Sequence, residues 1–184
     1  MYNMNLCIGK HIPLFCRMLC VAMAISIFAG CIADERPSHE ESTYVHVGEY
    51  APDFSTTLLD GSSRTLSSLR GEVVMLIFFS SSCADCQAQF SEMMRLAKDF
   101  PPTFHLLAIS RAESMEHTEA FREKYAWPFE MGLDPDEAIY SRYASMYVPR
   151  TFLIDAAGKV CALDVEFDPD QIQRMWQHAN KMAE

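Results

Sequence analysis

Residues 73–79, Val-Val-Met-Leu-Ile-Phe-Phe, form an unbroken apolar run, and the tetrad Cys83-Ala84-Asp85-Cys86 follows shortly after it. A short run this rich in β-branched and aromatic residues reads as a strand buried on both faces. Behind the tetrad, Phe90, Met93, Met94 and Ala97 recur at helical spacing, and Pro101-Pro102 stops the helix. A Cys-x-x-Cys at a strand-to-helix junction points to redox chemistry rather than to a structural cross-link. Residues i and i+3 of a first helical turn share one face, so both sulfurs can meet in a small disulfide ring. Cys83 would stand at the helix N-terminus, where free N–H groups and the macrodipole favour a thiolate.

The start of the chain reads as a targeting segment. Residues 1–30 carry Lys10 and Arg17 and no acid, and residues 18–29 are apolar. That run is short for a membrane span, which needs ~20 residues. A basic n-region, a short apolar h-region and small residues at the cut are the layout of a secretory signal. Phe28-Ala29-Gly30-Cys31 resembles a bacterial lipobox, with Cys31 as the lipidated residue; Phe28 departs from the usual aliphatic residue. The alternatives are an ordinary secreted protein or an uncleaved anchor. Each reading places the rest of the chain outside the cytoplasm, where disulfides persist.

Removal of residues 1–30 would take Cys7, Cys16 and Cys20, and lipid would occupy Cys31. Cys83, Cys86 and Cys161 remain, too few for a disulfide framework. Cys161 lies in an expected strand and reads as a buried small residue, with a third redox thiol as the other reading.

Residues 31–46, with Asp34, Glu35, Arg36, Pro37, Ser38, His39, Glu40 and Glu41, offer little to bury and are expected to be a flexible tether. Residues 47–184 are long enough for one core. The chain holds 25 acids against 15 bases, and two of those bases lie in the signal. That balance argues against nucleic acid or anionic lipid as a partner and favours solubility as its role.

Strands are expected over 54–58 and 65–66 around Asp60-Gly61, and then over 73–79, 104–110, 129–133, 150–155 and 159–163. Helices are expected over 83–100, over 114–125 with Ser114 as N-cap, over 137–147, and over 168–182 with Pro169 at N1. Such alternation, closed by a hairpin and a helix, implies an α/β fold with a mixed central sheet flanked by helices on both faces.

Together these residues resemble the thioredoxin-like superfamily, in its TlpA/ResA-like branch of anchored extracytoplasmic thiol–disulfide oxidoreductases. The resemblance spans about residues 48–184. It rests on Ala51-Pro52-Asp53-Phe54, Leu66-Ser67-Ser68-Leu69-Arg70-Gly71, the strand and tetrad, Val148-Pro149-Arg150-Thr151-Phe152-Leu153-Ile154-Asp155, and Gly158-Lys159. It implies a thioredoxin-like fold and a cis Pro149 packed beside the sulfurs. The backbone at Val148 would then be free to pair with an extended substrate strand. It also implies no cofactor and no metal beyond a redox-active Cys83–Cys86 disulfide. The implied partners are disulfide- or dithiol-containing envelope proteins and an upstream membrane electron donor, met at a periplasmic face or cell surface.

Thiolate chemistry then gives the mechanism. Cys83 attacks a partner disulfide, and Cys86 resolves the mixed disulfide. Ser82 stands where an aromatic often precedes the first Cys, so a docking ledge is missing. Gln89 stands where ResA-like members carry Glu, and Ile77 where thioredoxin carries a buried acid. Gln does not titrate, so the Cys86 proton needs another group or water. Asp85 supports the helix start but repels a Cys83 thiolate, which points to a reducing couple. Arg150 either turns toward the sulfurs or faces solvent and a partner, and the solvent-facing orientation is the expected one. Ser80 and Ser81 shape the loop before Cys83, and Trp127 and Trp176 read as packing residues.

Three rivals remain. A peroxiredoxin-like thiol peroxidase needs Pro and Thr or Ser where this chain has Leu76 and Ser80, so half that signature is absent. A non-enzymatic copper-binding module could hold a soft ion with two thiolates. A docking module would have no use for an intact Cys83, Cys86 and Pro149.

Overall fold

The computed structural model describes residues 36–184. The signal segment and Cys31 lie outside the described residues. Strands β1 (Ser55–Thr57) and β2 (Ser63–Thr65) pair as an antiparallel hairpin, with Thr56 opposite Arg64. The main sheet holds β3 (Val74–Phe79), β4 (His105–Arg111), β5 (Glu130–Asp134), β6 (Arg150–Ile154) and β7 (Val160–Val165). Its spatial order is β5-β4-β3-β6-β7. β4 runs parallel to both β3 and β5, while β6 is antiparallel to both β3 and β7. The three helices are α1 (Ala84–Asp99), α2 (Met115–Tyr125) and α3 (Pro169–Met182).

β3 is central, and all six of its residues are buried. Its period-2 alternation divides the core. Met75, Ile77 and Phe79 face Phe90, Met93 and Leu96 of α1, Phe121 of α2, and Ile172, Met175 and Trp176 of α3. Val74, Leu76 and Phe78 face Phe54, Leu66, Leu69, Tyr140, Tyr143 and Phe152. Trp127 and Trp176 are buried packing residues, as expected; the Trp176 indole N–H donates to the Phe100 carbonyl at 2.9 Å.

Each helix start is legible in its cap. Ser114 accepts from the His117 N–H at 3.3 Å, and Asp168 accepts from the Asp170 N–H at 2.9 Å, with Pro169 at N1.

Two expectations are corrected. The helix expected over 137–147 contracts to a single 3-10 turn, Tyr140–Arg142. The buried Asp134 carboxylate accepts from the Ile139 and Tyr140 N–H groups at 3.0 and 2.7 Å, which sets the turn. The Tyr140 hydroxyl then meets the Met146 and Tyr147 carbonyls, both at 2.6 Å, and Tyr147 has φ 71°. The chain therefore curls around Tyr140 instead of extending. This turn, the 3-10 turn Leu66–Leu69 and the hairpin cover the second face of the sheet.

The second correction concerns the flexible tether. Residues 37–184 form one compact unit, so its last ten positions before 47 are folded. Ser42, Thr43 and Val45 are buried. The Tyr44 N–H donates to the Tyr143 carbonyl, and the Ser145 N–H to the Ser42 carbonyl, both at 2.9 Å. The charged residues of this segment face outward, while its Ser-Thr pair faces in.

Candidate active site

Cys83 caps α1. Its sulfur accepts from the Cys86 N–H at 3.3 Å and donates its S–H to the Val148 carbonyl at 3.3 Å. Cys83 is half-buried and Cys86 is fully buried; both are free thiols. Burial pushes the Cys86 thiol far above its ordinary range, and the adjacent Cys83 sulfur adds to the effect. The inner sulfur therefore rests as a neutral thiol while the outer one meets solvent. Ala84 and Asp85 are exposed on the first turn, and Ser82 is exposed just before it.

The Val148–Pro149 peptide bond is cis. Val148 is half-buried and Pro149 buried, and the Pro149 carbonyl accepts from the Glu166 N–H at 2.9 Å. Val148, next to Pro149, thus meets Cys83 where α1 begins and β6 begins.

Arg150 departs from its expected place. It is 0% exposed, pointing neither to solvent nor to the sulfurs. In register it lies opposite Phe78, whereas Thr151 lies opposite Ile77. Side chains alternate along a strand, so Arg150 enters the second core while Cys86 belongs to the first. Its guanidinium donates to Thr43 Oγ1, to Ser42 Oγ at 3.1 Å and to the Met146 carbonyl at 2.8 Å. Direct substrate contact by Arg150 is ruled out by that burial.

In the core around Cys86 the two positions compared above with acids of related proteins, Gln89 and Ile77, are buried and uncharged. Gln89 is fully buried; its Nε2 donates to Thr151 Oγ1 at 2.9 Å, and its Oε1 has no hydrogen-bond partner. Asp164 pairs with Thr151 across β6 and β7, and burial together with the nearby Asp168 carboxylate raises its carboxyl to about 6.

Sequence reasoning missed Glu113. Its Oε1 accepts from the Ser81 N–H at 2.7 Å, the Ser81 hydroxyl at 2.8 Å and the Ser80 hydroxyl at 3.0 Å. The serines therefore spend their hydroxyls on a carboxylate beyond β4, not on sulfur. No local pattern links Glu113 to a loop that far back in the chain. An open cleft of about 490 Å³ lies beside this loop, lined by Ser80–Ser82, Arg111, Glu113 and His117 among others.

Cys161 stands apart from the dithiol. It is half-buried, its S–H donates to the Leu153 carbonyl at 3.3 Å, and burial raises its thiol. Among the described residues, no three His, Cys, Asp or Glu side chains gather as for a metal ion. Nor is any helix there long and apolar enough to cross a membrane.

The AhpC/TSA family profile matches residues 47–163. The thiol–disulfide oxidoreductase ResA of Geobacillus thermodenitrificans is 30% identical over 144 residues, which are 78% of this chain and 79% of that protein. ResA of Geobacillus kaustophilus is 33% identical over 121 residues, 65% of this chain and 70% of that protein. A protein disulfide isomerase candidate from Bacteroides thetaiotaomicron, solved in solution, superposes with TM-score 0.70 at 34% identity. The match covers 77% of this chain and 92% of that one. A DsbE thiol:disulfide interchange protein candidate from Chlorobium tepidum superposes with TM-score 0.67 at 27% identity, over 76% and 99% of the two chains.

Proposed function

Since the chain belongs to the AhpC/TSA family and is a thioredoxin-like thiol–disulfide oxidoreductase akin to ResA, we propose that Cys83 and Cys86 carry its chemistry and reduce disulfides of envelope proteins. The observation behind this reading is the asymmetric dithiol: a half-exposed Cys83 sulfur at a helix start, with a buried Cys86 one turn inside.

The Cys83 thiolate attacks one sulfur of a partner disulfide. A new S–S bond forms, the partner S–S bond breaks, and the released partner thiolate takes a proton from solvent. Cys86 then loses its proton and attacks Cys83 Sγ. The Cys83–Cys86 bond forms, and the second partner sulfur leaves as a thiolate and is protonated. The partner has gained two electrons, and a dithiol donor must return them to the domain. Burial keeps Cys86 protonated until the mixed disulfide stands beside it, so the domain is not oxidised by chance encounters. The Val148 backbone and buried Pro149 form the wall against which a partner strand lies, with Ser82 at its rim.

The neutral Gln89 and Ile77 in the core around Cys86 and the carboxylate of Asp85 favour a reducing couple. The protein works outside the cytoplasm, held to a bacterial membrane through lipid on Cys31. The asymmetry of the pair, with the buried Cys86 held as a neutral thiol, favours exchange over a copper site that would need both sulfurs as thiolates, and Leu76 stands where a thiol peroxidase requires proline.

Trapping tests the assignment. Cys86→Ser should accumulate a mixed disulfide with a cystine-bearing protein, and Cys83→Ser should accumulate none. Equal trapping by both variants would overturn it.

A further inference from the structure

The Arg150 guanidinium is a buried cation whose hydrogen-bond partners are all neutral: Thr43 Oγ1, Ser42 Oγ and the Met146 carbonyl. Its Nε has no partner. Burying a cation without an acid is costly, and an apolar side chain of the same size would fill the space more cheaply. What the fork does gain is geometry, because one rigid plane binds two separate segments at once.

Those segments are the N-terminal strap, residues 37–46, and the loop 146–149. Further ties join them. The Tyr147 hydroxyl donates to the Pro37 carbonyl at 2.6 Å, and the His39 ring packs edge-on to the Tyr147 ring at 4.8 Å. His39 Nε2 also lies 3.1 Å from Glu166, whose N–H holds the Pro149 carbonyl. The loop so gripped ends in the Val148 carbonyl that receives the Cys83 thiol.

We propose that Arg150 is a positioning residue for disulfide exchange: by clamping the strap to loop 146–149, it fixes the Val148 backbone against Cys83 and against the incoming partner strand. This rests on the dithiol reading above. The S–H···O contact exists only in the reduced form, so a loosened loop weakens the reduced form relative to the disulfide. The same loosening blurs the edge that a protein substrate must pair with.

The test uses the full chain and four proteins: wild type, Arg150→Met, Arg150→Lys and Tyr147→Phe. Redox equilibration against glutathione and steady-state reduction of insulin, with dithiothreitol as the electron donor, are measured beside urea unfolding. For Arg150→Met, the equilibrium constant should move about twofold to fivefold toward the disulfide, the range of one weak S–H···O hydrogen bond. KM for insulin should rise by a similar factor, with a smaller change in kcat. Lys restores a donor but not the fork, and should fall between wild type and Met. Should Arg150→Met not fold, Tyr147→Phe carries the test, since it removes one tie and keeps the ring; it should shift both readouts in the same direction. A shifted urea midpoint with unchanged equilibrium constant and KM would make Arg150 merely structural and overturn the proposal. A wild type that fails to equilibrate with glutathione would instead contradict the dithiol reading itself.

Discussion

The Cys83 sulfur and the Val148 carbonyl lie 3.3 Å apart across 65 residues of sequence. That contact joins the start of α1 to the start of β6, the place to which the proposed exchange would bring a partner disulfide. Around it, the inner thiol is buried, the core is uncharged at positions 77 and 89, and the loop before Cys83 is anchored by one distant carboxylate.

Glu113 should be that anchor. Glu113→Ala removes the acceptor of three hydrogen bonds and leaves the Ser81 N–H to find water. Bonds to a charged group contribute about 1.5–3 kcal/mol each, so a loss of about 2–3 kcal/mol is expected after the serines rehydrate. Denaturant unfolding measures it, and turnover should fall by more than the unfolded fraction explains.

Asp164 gives the chain a pH signature. Its carboxyl is raised from 3.8 to about 6 by burial and by Asp168. A carboxyl raised in the folded state favours folding while protonated, and that contribution is lost as pH rises from about 4 through 6. Asp164→Asn should therefore stabilise the domain at pH 8, by about 1–2 kcal/mol once solvent screening is allowed for. It should also flatten the stability profile between pH 4 and 6. Urea midpoints across that range check both.

Gln89→Glu places a titratable group in a fully buried site three residues after Cys86. Its charged form is disfavoured there, so stability should fall above neutral pH by about 2–3 kcal/mol. The rate of mixed-disulfide resolution should acquire a new titration near neutrality, absent from wild type. Stopped-flow rates at several pH values would reveal it.

The strap sets where a soluble fragment must begin. A fragment starting at Val47 lacks Ser42, Thr43 and the buried Val45, so the Arg150 fork keeps only the Met146 carbonyl and the second core loses part of its cover. Each lost hydrogen bond to a charged group costs about 1.5–3 kcal/mol, offset in part where water reaches the guanidinium. That fragment should unfold at clearly lower urea than one starting at Pro37, and should be more prone to aggregate.

Much of this was legible before the structure. The apolar run at β3, the cap residues Ser114 and Asp168 and the tetrad Cys83–Cys86 carry local signals, and local signals survive folding. The helix expected over 137–147 failed because Tyr140, Tyr143 and Ala144 do fall at helical spacing, yet the Asp134 carboxylate and the Tyr140 hydroxyl redirect the backbone. Arg150 failed because its partners lie 107 and 108 residues away, in a segment that composition marked as solvated. Glu113 carried no signal, since a lone carboxylate after a strand has the same pattern wherever its bonds go.

Cys83 and Cys86 are expected to form a reversible, reducing dithiol. Equilibrating the full chain against graded glutathione or dithiothreitol buffers, with mass-shift readout of the Cys83–Cys86 pair, tests it directly. A two-electron couple near the thioredoxin value, ~−270 mV, is the predicted result. A couple near that of a strong oxidant, ~−120 mV, would contradict the reducing assignment, and the absence of any disulfide between the two would contradict the dithiol itself.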